Sequence, residues 1–130
     1  MNNLISGLNA AERPVNALYS LGTTGRVNTA NQVLNNAFFD VLVAGASSNV
    51  IHLGAFTTTT TLSGNSVYNT STLSVPTACE YALIRIDNTS GDGFLLSNNY
   101  LGGQAAQASG TWTKIGQPTT FYGIYLNVGT

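Results

Sequence analysis

The 130 residues carry four basic and five acidic side chains, a net charge of −1, and only 7% charged positions beside 43% apolar ones. Disorder is excluded, because it combines low hydrophobicity with high charge. Nucleic-acid binding is excluded too: it needs a basic patch, and Arg13, Arg26, Arg85 and Lys114 are scattered along the chain. A net charge near zero weakens the self-repulsion that keeps copies apart, so a stable assembly is expected in place of a free monomer.

A chain of this length forms one core without a metal or disulfide. Cys79 is the sole cysteine and reads as a small buried hydrophobe at a strand start. No apolar run approaches the ~20 residues that span a bilayer, so no membrane partner is expected. Met1 to Gly7 has neither a charged n-region nor an apolar h-region, so the product is expected to be made in the cytoplasm without a signal peptide.

Residues 1–36 are rich in Asn, Ala and Gly and read as an N-terminal arm. Pro14 interrupts the one helical-looking pattern, Leu8 to Leu21, where it suits the first position of a short helix placing Ala17, Leu18 and Leu21 on one face. Residues 37–130 read as a β domain. Phe38 to Ala44 and Val50 to Phe56 alternate around the turn Gly45 to Asn49 and predict a hairpin. Thr57 to Thr61 is β-branched and polar on both faces, as in an exposed or edge strand. Ser66 to Tyr68 and Thr72 to Val75 are short strands.

Cys79 to Asp87, then Asn88 to Gly93, then Phe94 to Ser97 give the strongest hairpin signal and a central strand. A loop without charge from Leu101 to Gly110 precedes the strands Thr111 to Ile115 and Thr120 to Val128. About seven to nine short strands with regular turn signals predict an antiparallel β-sandwich of jelly-roll or Greek-key type. No internal repeat stands out at a fixed period.

No catalytic or cofactor motif is present. A Ser-His-Asp set would have to use His52, the only histidine, and its alternation with Val50 and Phe56 reads as a hydrogen-bonded, partly buried or cross-strand histidine. Glu12, Asp40, Glu80, Asp87 and Asp92 are dispersed, whereas paired-carboxylate chemistry needs two facing each other. Asp87 and Asp92 are candidate ligands for a hard cation, in a loop whose composition also suits a plain turn. Tyr100, Trp112 and Tyr122 are candidate glycan contacts, with core or interface packing the competing role.

Two functional classes follow. The first is a non-enzymatic structural virion protein, a capsid decoration or cement protein or other small surface subunit of a bacterial virus. It would attach to other capsid subunits through arm residues Leu4, Ile5, Leu8, Val15, Leu18 and Leu21 and self-associate as a homo-oligomer, with a trimer favoured. The second is a lectin-like carbohydrate-binding sandwich. No cofactor is expected in either.

Overall fold

The computed structural model describes residues 3–7, 9 and 13–129, and among these it holds thirteen strands and no helix. In chain order the strands are β1 (Leu4–Ser6), β2 (Asn16–Ser20), β3 (Gln32–Leu34), β4 (Ala37–Phe39), β5 (Ser48–Leu53), β6 (Thr61–Ser63) and β7 (Ser66–Tyr68). They continue with β8 (Leu73–Val75), β9 (Cys79–Asn88), β10 (Leu95–Ser97), β11 (Tyr100–Leu101), β12 (Lys114–Gly116) and β13 (Thr119–Val128).

Every pairing between these strands is parallel. One sheet runs β1-β4-β7-β11, a second β2-β5-β9-β13, a third β3-β6-β10, and a fourth, smaller one β8-β12. The chain visits the first, second and third sheets in turn and then returns to the first beside its earlier strand, so successive coils stack into a β-solenoid. The fourth sheet enters between the first and second from the third coil onward. The four-stranded sheets define four coils, each about 4.8 Å further along the axis.

This architecture overturns the expected antiparallel sandwich. The predicted hairpins are absent: β9 pairs with β5 and β13, β10 pairs with β6, and β4 pairs with β1 and β7. The reason is physical. Gly, Asn and Asp clusters mark where a chain changes direction, but a corner leading to the next face uses the same residues as a reversal. Alternating strands with one dry face are likewise common to both solutions.

The sequence pattern is nonetheless what builds the coils. In a parallel in-register stack each inward residue lies over its counterpart one coil away, so apolar side chains form columns. Leu18, Ile51, Ile84 and Ile124 make one, and Ile5, Phe38, Val67 and Leu101 another. Val33, Leu62 and Leu96 make a third. Val50 and Ile51, and one coil on Leu83 and Ile84, are consecutive and all buried in the core. Strict alternation therefore fails mid-strand in both β5 and β9.

Residues 4–34, read as part of an arm, hold β1, β2 and β3, each hydrogen-bonded to the next coil. The short helix expected after Pro14 is instead β2, whose Leu18 joins the core column. Its edge bonds to β5 reward extended backbone over a helix of one or two turns. The Thr57–Thr61 run is not an exposed strand. Thr57 and Thr60 are buried, and their hydroxyls bond the carbonyls of Ser20 at 3.2 Å and Thr58 at 3.2 Å, turning the chain into β6.

Candidate functional site

The third-to-first corner is built on asparagines. Asn36 Nδ2 donates to Asn65 Oδ1 at 3.2 Å, and Asn65 Nδ2 donates to Asn99 Oδ1 at 3.0 Å; the first coil joins through Asn3 Nδ2 to Asn36 Oδ1 at 2.8 Å. Before each of Asn36, Asn65 and Asn99 stands a residue of positive φ, Asn35 at 54°, Gly64 at 68° and Asn98 at 53°. Left-handed backbone is what Gly and Asn tolerate best. The ladder rungs lie 33, 29 and 34 residues apart, and Thr72 bonds Thr113 across 41. Unequal coils explain why no fixed period is visible. The signal that does recur is an apolar residue, a small or apolar one, Asn or Gly, then Asn: Val33-Leu34-Asn35-Asn36, Leu62-Ser63-Gly64-Asn65 and Leu96-Ser97-Asn98-Asn99.

The second sheet carries an outward column of Tyr19, His52, Arg85 and Tyr125. The Tyr19 and His52 ring centroids are 4.8 Å apart, and the Arg85 guanidinium lies 4.2 Å from the Tyr125 ring centre. Arg85 also donates to Asn49 Oδ1 at 2.9 Å and pairs with Glu80. Its charge is committed within the column. His52 Nδ1 is buried and has no hydrogen-bond partner among the described residues. Burial first, and the Arg85 charge second, hold the imidazole below its ordinary pKa of 6.5, partly offset by Asp87.

The unfolded chain therefore binds a proton at His52 more readily than the folded one, and stability falls as pH drops below 6.5 toward the lowered folded value. Thermal melts of the wild type and His52→Gln between pH 7.5 and 5 are expected to diverge on the acid side, with the variant losing less.

The terminal coil, like the first, is paired on one side only among the described residues. Phe121, Ile124, Leu126 and Val128 of β13 are 46%, 46%, 60% and 43% exposed, although their register partners Tyr81, Ile84, Ile86 and Asn88 on β9 are all buried. The same inward residues thus form the core one coil earlier and an open apolar end here. Beside them a pocket of about 290 Å³ lies between Leu73, Tyr81, Trp112, Lys114, Thr119 and Phe121. Trp112 and Phe121 meet edge to face with centroids 5.1 Å apart. Lys114 Nζ is held by the Gln117 carbonyl at 2.7 Å. Of the lining residues, Tyr81 donates its hydroxyl to Val43 O at 2.7 Å, and burial pushes its pKa well up.

β13 has no charged residue and no proline along its length. Edge strands are usually blunted by such residues, because their free N–H and C=O groups otherwise recruit another strand.

The sequence-predicted residues scatter. Tyr100 stands on the first sheet, Trp112 in the pocket at the end, and Tyr122 on the second sheet edge to face with Tyr125. They form no shared aromatic platform. Asp87 is exposed and accepts from Asn127 Nδ2 at 2.8 Å, while Asp92 is exposed in the following loop. No group of three or more His, Cys, Asp or Glu is placed to hold a metal among the described residues. Ile5 and Leu18 pack against the core; Leu4, Val15 and Leu21 are exposed on the first coil; Leu8 and Glu12 lie outside the described residues. The Asn ladder and the open end were both missed from sequence.

No protein-family model, curated protein or solved structure matches the chain, and the reading of it rests on its own residues.

Proposed function

We propose that the chain is a non-enzymatic structural subunit that pairs with a second copy through its open C-terminal end. The observation that carries this is the uncharged edge of β13 beside four exposed residues whose counterparts one coil earlier are buried. Two such edges pairing antiparallel about a twofold axis would give each strand the hydrogen bonds it lacks and cover Ile124 and Leu126. No like charges meet, since β13 has none. Self-pairing is favoured over a charged partner for the same reason.

The setting we assign is the surface of a bacterial virus, as a decoration or cement protein. A rigid stack of coils with few charges, soluble through Thr, Ser, Asn and Gly, suits a particle coat. Attachment to other capsid subunits falls to the first coil, where Leu4, Val15 and Leu21 remain exposed. The end face supports a pair; the trimer expected from sequence would have to use the flat sides of the solenoid.

Native mass measured over a dilution series tests this. The wild-type chain is expected to move from monomer to dimer as concentration rises, and Leu126→Lys and Ile124→Lys to stay monomeric with unchanged circular dichroism. A wild type that is monomeric throughout, or variants that dimerise equally well, would overturn the reading.

A further inference from the structure

A groove of about 550 Å³ runs along the solenoid axis over the corner between the third and first sheets. It passes from Leu4 of the first coil by Asn35, Ser66 and Asn98 to Tyr100 and Gln107 of the last. Three coil steps make it about 14 Å long. Its far wall is the uncharged 101–110 loop, tied down where Gln107 N donates to Ser66 Oγ at 2.8 Å.

The chemistry of the lining is specific. No side chain in it carries a charge at neutral pH. The amides of Asn36, Asn65 and Asn99 are consumed by the ladder, but those of Asn35, Asn98 and Gln107 make no hydrogen bond among the described residues. Gly64 keeps the groove floor low: a Cβ there would lie 2.2 Å from Asn35 Oδ1. Tyr100 is 42% exposed at one end. The backbone at the corner is already paired, with the amides of Ala37, Ser66 and Tyr100 donating to the carbonyls of Asn3, Asn36 and Asn65.

We propose that this groove binds a neutral oligosaccharide lying along the axis. Free amides are both donors and acceptors and so match hydroxyl groups. An aromatic face packs against the C–H surface of a sugar ring. The lack of charge disfavours phosphate, sulfate or uronate. The satisfied backbone disfavours an extended peptide, whose affinity in strand addition comes from main-chain hydrogen bonds. The groove shares no residue with β13, so binding and end-to-end pairing stand or fall separately.

The test is calorimetric titration with linear neutral oligosaccharides of glucose, mannose and N-acetylglucosamine, with oligogalacturonate as the anionic control. Two variants accompany it. Tyr100→Ala removes an exposed ring, and the double variant Asn35→Gly with Asn98→Gly removes two amides while supplying the residue that positive φ favours. At least one neutral oligosaccharide is expected to bind. Each variant should weaken that binding roughly tenfold or more, with melting temperature and native mass unchanged. Absence of neutral binding up to ~1 mM, tighter binding of the anionic control, or affinity untouched in both variants would overturn the proposal. So would affinity lost in Trp112→Ala instead, which would place the sugar at the end pocket.

Discussion

Asn65→Ala is expected to lower the unfolding free energy by about 4 kcal/mol, from the ~1–3 kcal/mol cost of each buried polar group left unpaired. Asn65 is fully buried, and its Oδ1 accepts from Asn36 N at 3.1 Å and Asn36 Nδ2 at 3.2 Å. Its Nδ2 donates to Val33 O at 2.8 Å and Asn99 Oδ1 at 3.0 Å. Alanine would orphan the Asn36 N–H and the Asn36 Nδ2 donor together. Asn65→Asp should be worse, since a carboxylate cannot donate to either oxygen and would be charged inside the stack. Denaturant melts of the three proteins read this directly. A loss under about 1 kcal/mol in Asn65→Ala would mean the ladder is ornamental.

Ile84→Ala and Ile124→Ala alter the same core column one coil apart, and they are expected to differ sharply. Ile84 is fully buried between Ile51 and Ile124. Its truncation leaves a cavity and should cost about 3–4 kcal/mol. Ile124 is 46% exposed on the terminal coil, so its truncation should cost the monomer under about 1 kcal/mol, in line with a partly solvated site. The loss at Ile124 should instead appear in pairing between copies. Chemical denaturation at low protein concentration separates the two effects. Equal losses at both positions would show that a further layer covers the last coil in the monomer.

The fold was legible in its strands and not in their pairing. The extended segments were readable, because branched and aromatic residues at Cys79–Asn88 and Thr119–Val128 favour strands in any arrangement. Partner choice was not. The turn residues after Asp87 serve a corner in which Asn88 Oδ1 accepts from Ser90 N at 3.3 Å and Ser90 Oγ at 3.1 Å. Nothing in Asn, Ser or Gly says that the next strand will join a different sheet. The recurrence of Asn36, Asn65 and Asn99 after a left-handed residue was the available clue, blurred by unequal spacing.

The candidate surfaces were legible only in part. Tyr100 stands out in the sequence for its ring, and the structure sets it on a groove beside Asn35, Asn98 and Gln107, which nothing in the sequence marks as contacts. The open end could not be seen at all: Ile124 and Leu126 alternate like any core strand, and their exposure follows from β13 pairing on one side only among the described residues. His52 lies across the strands from Tyr19 with the two rings tilted by 34°, but its buried Nδ1 lacks the hydrogen bond that the sequence also allows for it, among the described residues.

Amide hydrogen exchange across β13, at low and high protein concentration, bears most directly on the assembly edge. In a parallel strand, amides alternate between the two neighbours. Those facing β9 should be protected at both concentrations. Those facing outward should exchange fast when dilute and slowly when concentrated, as a second copy of β13 takes them up. Outward amides that exchange freely at every concentration would contradict the account, because the edge would then be bare in the assembled protein.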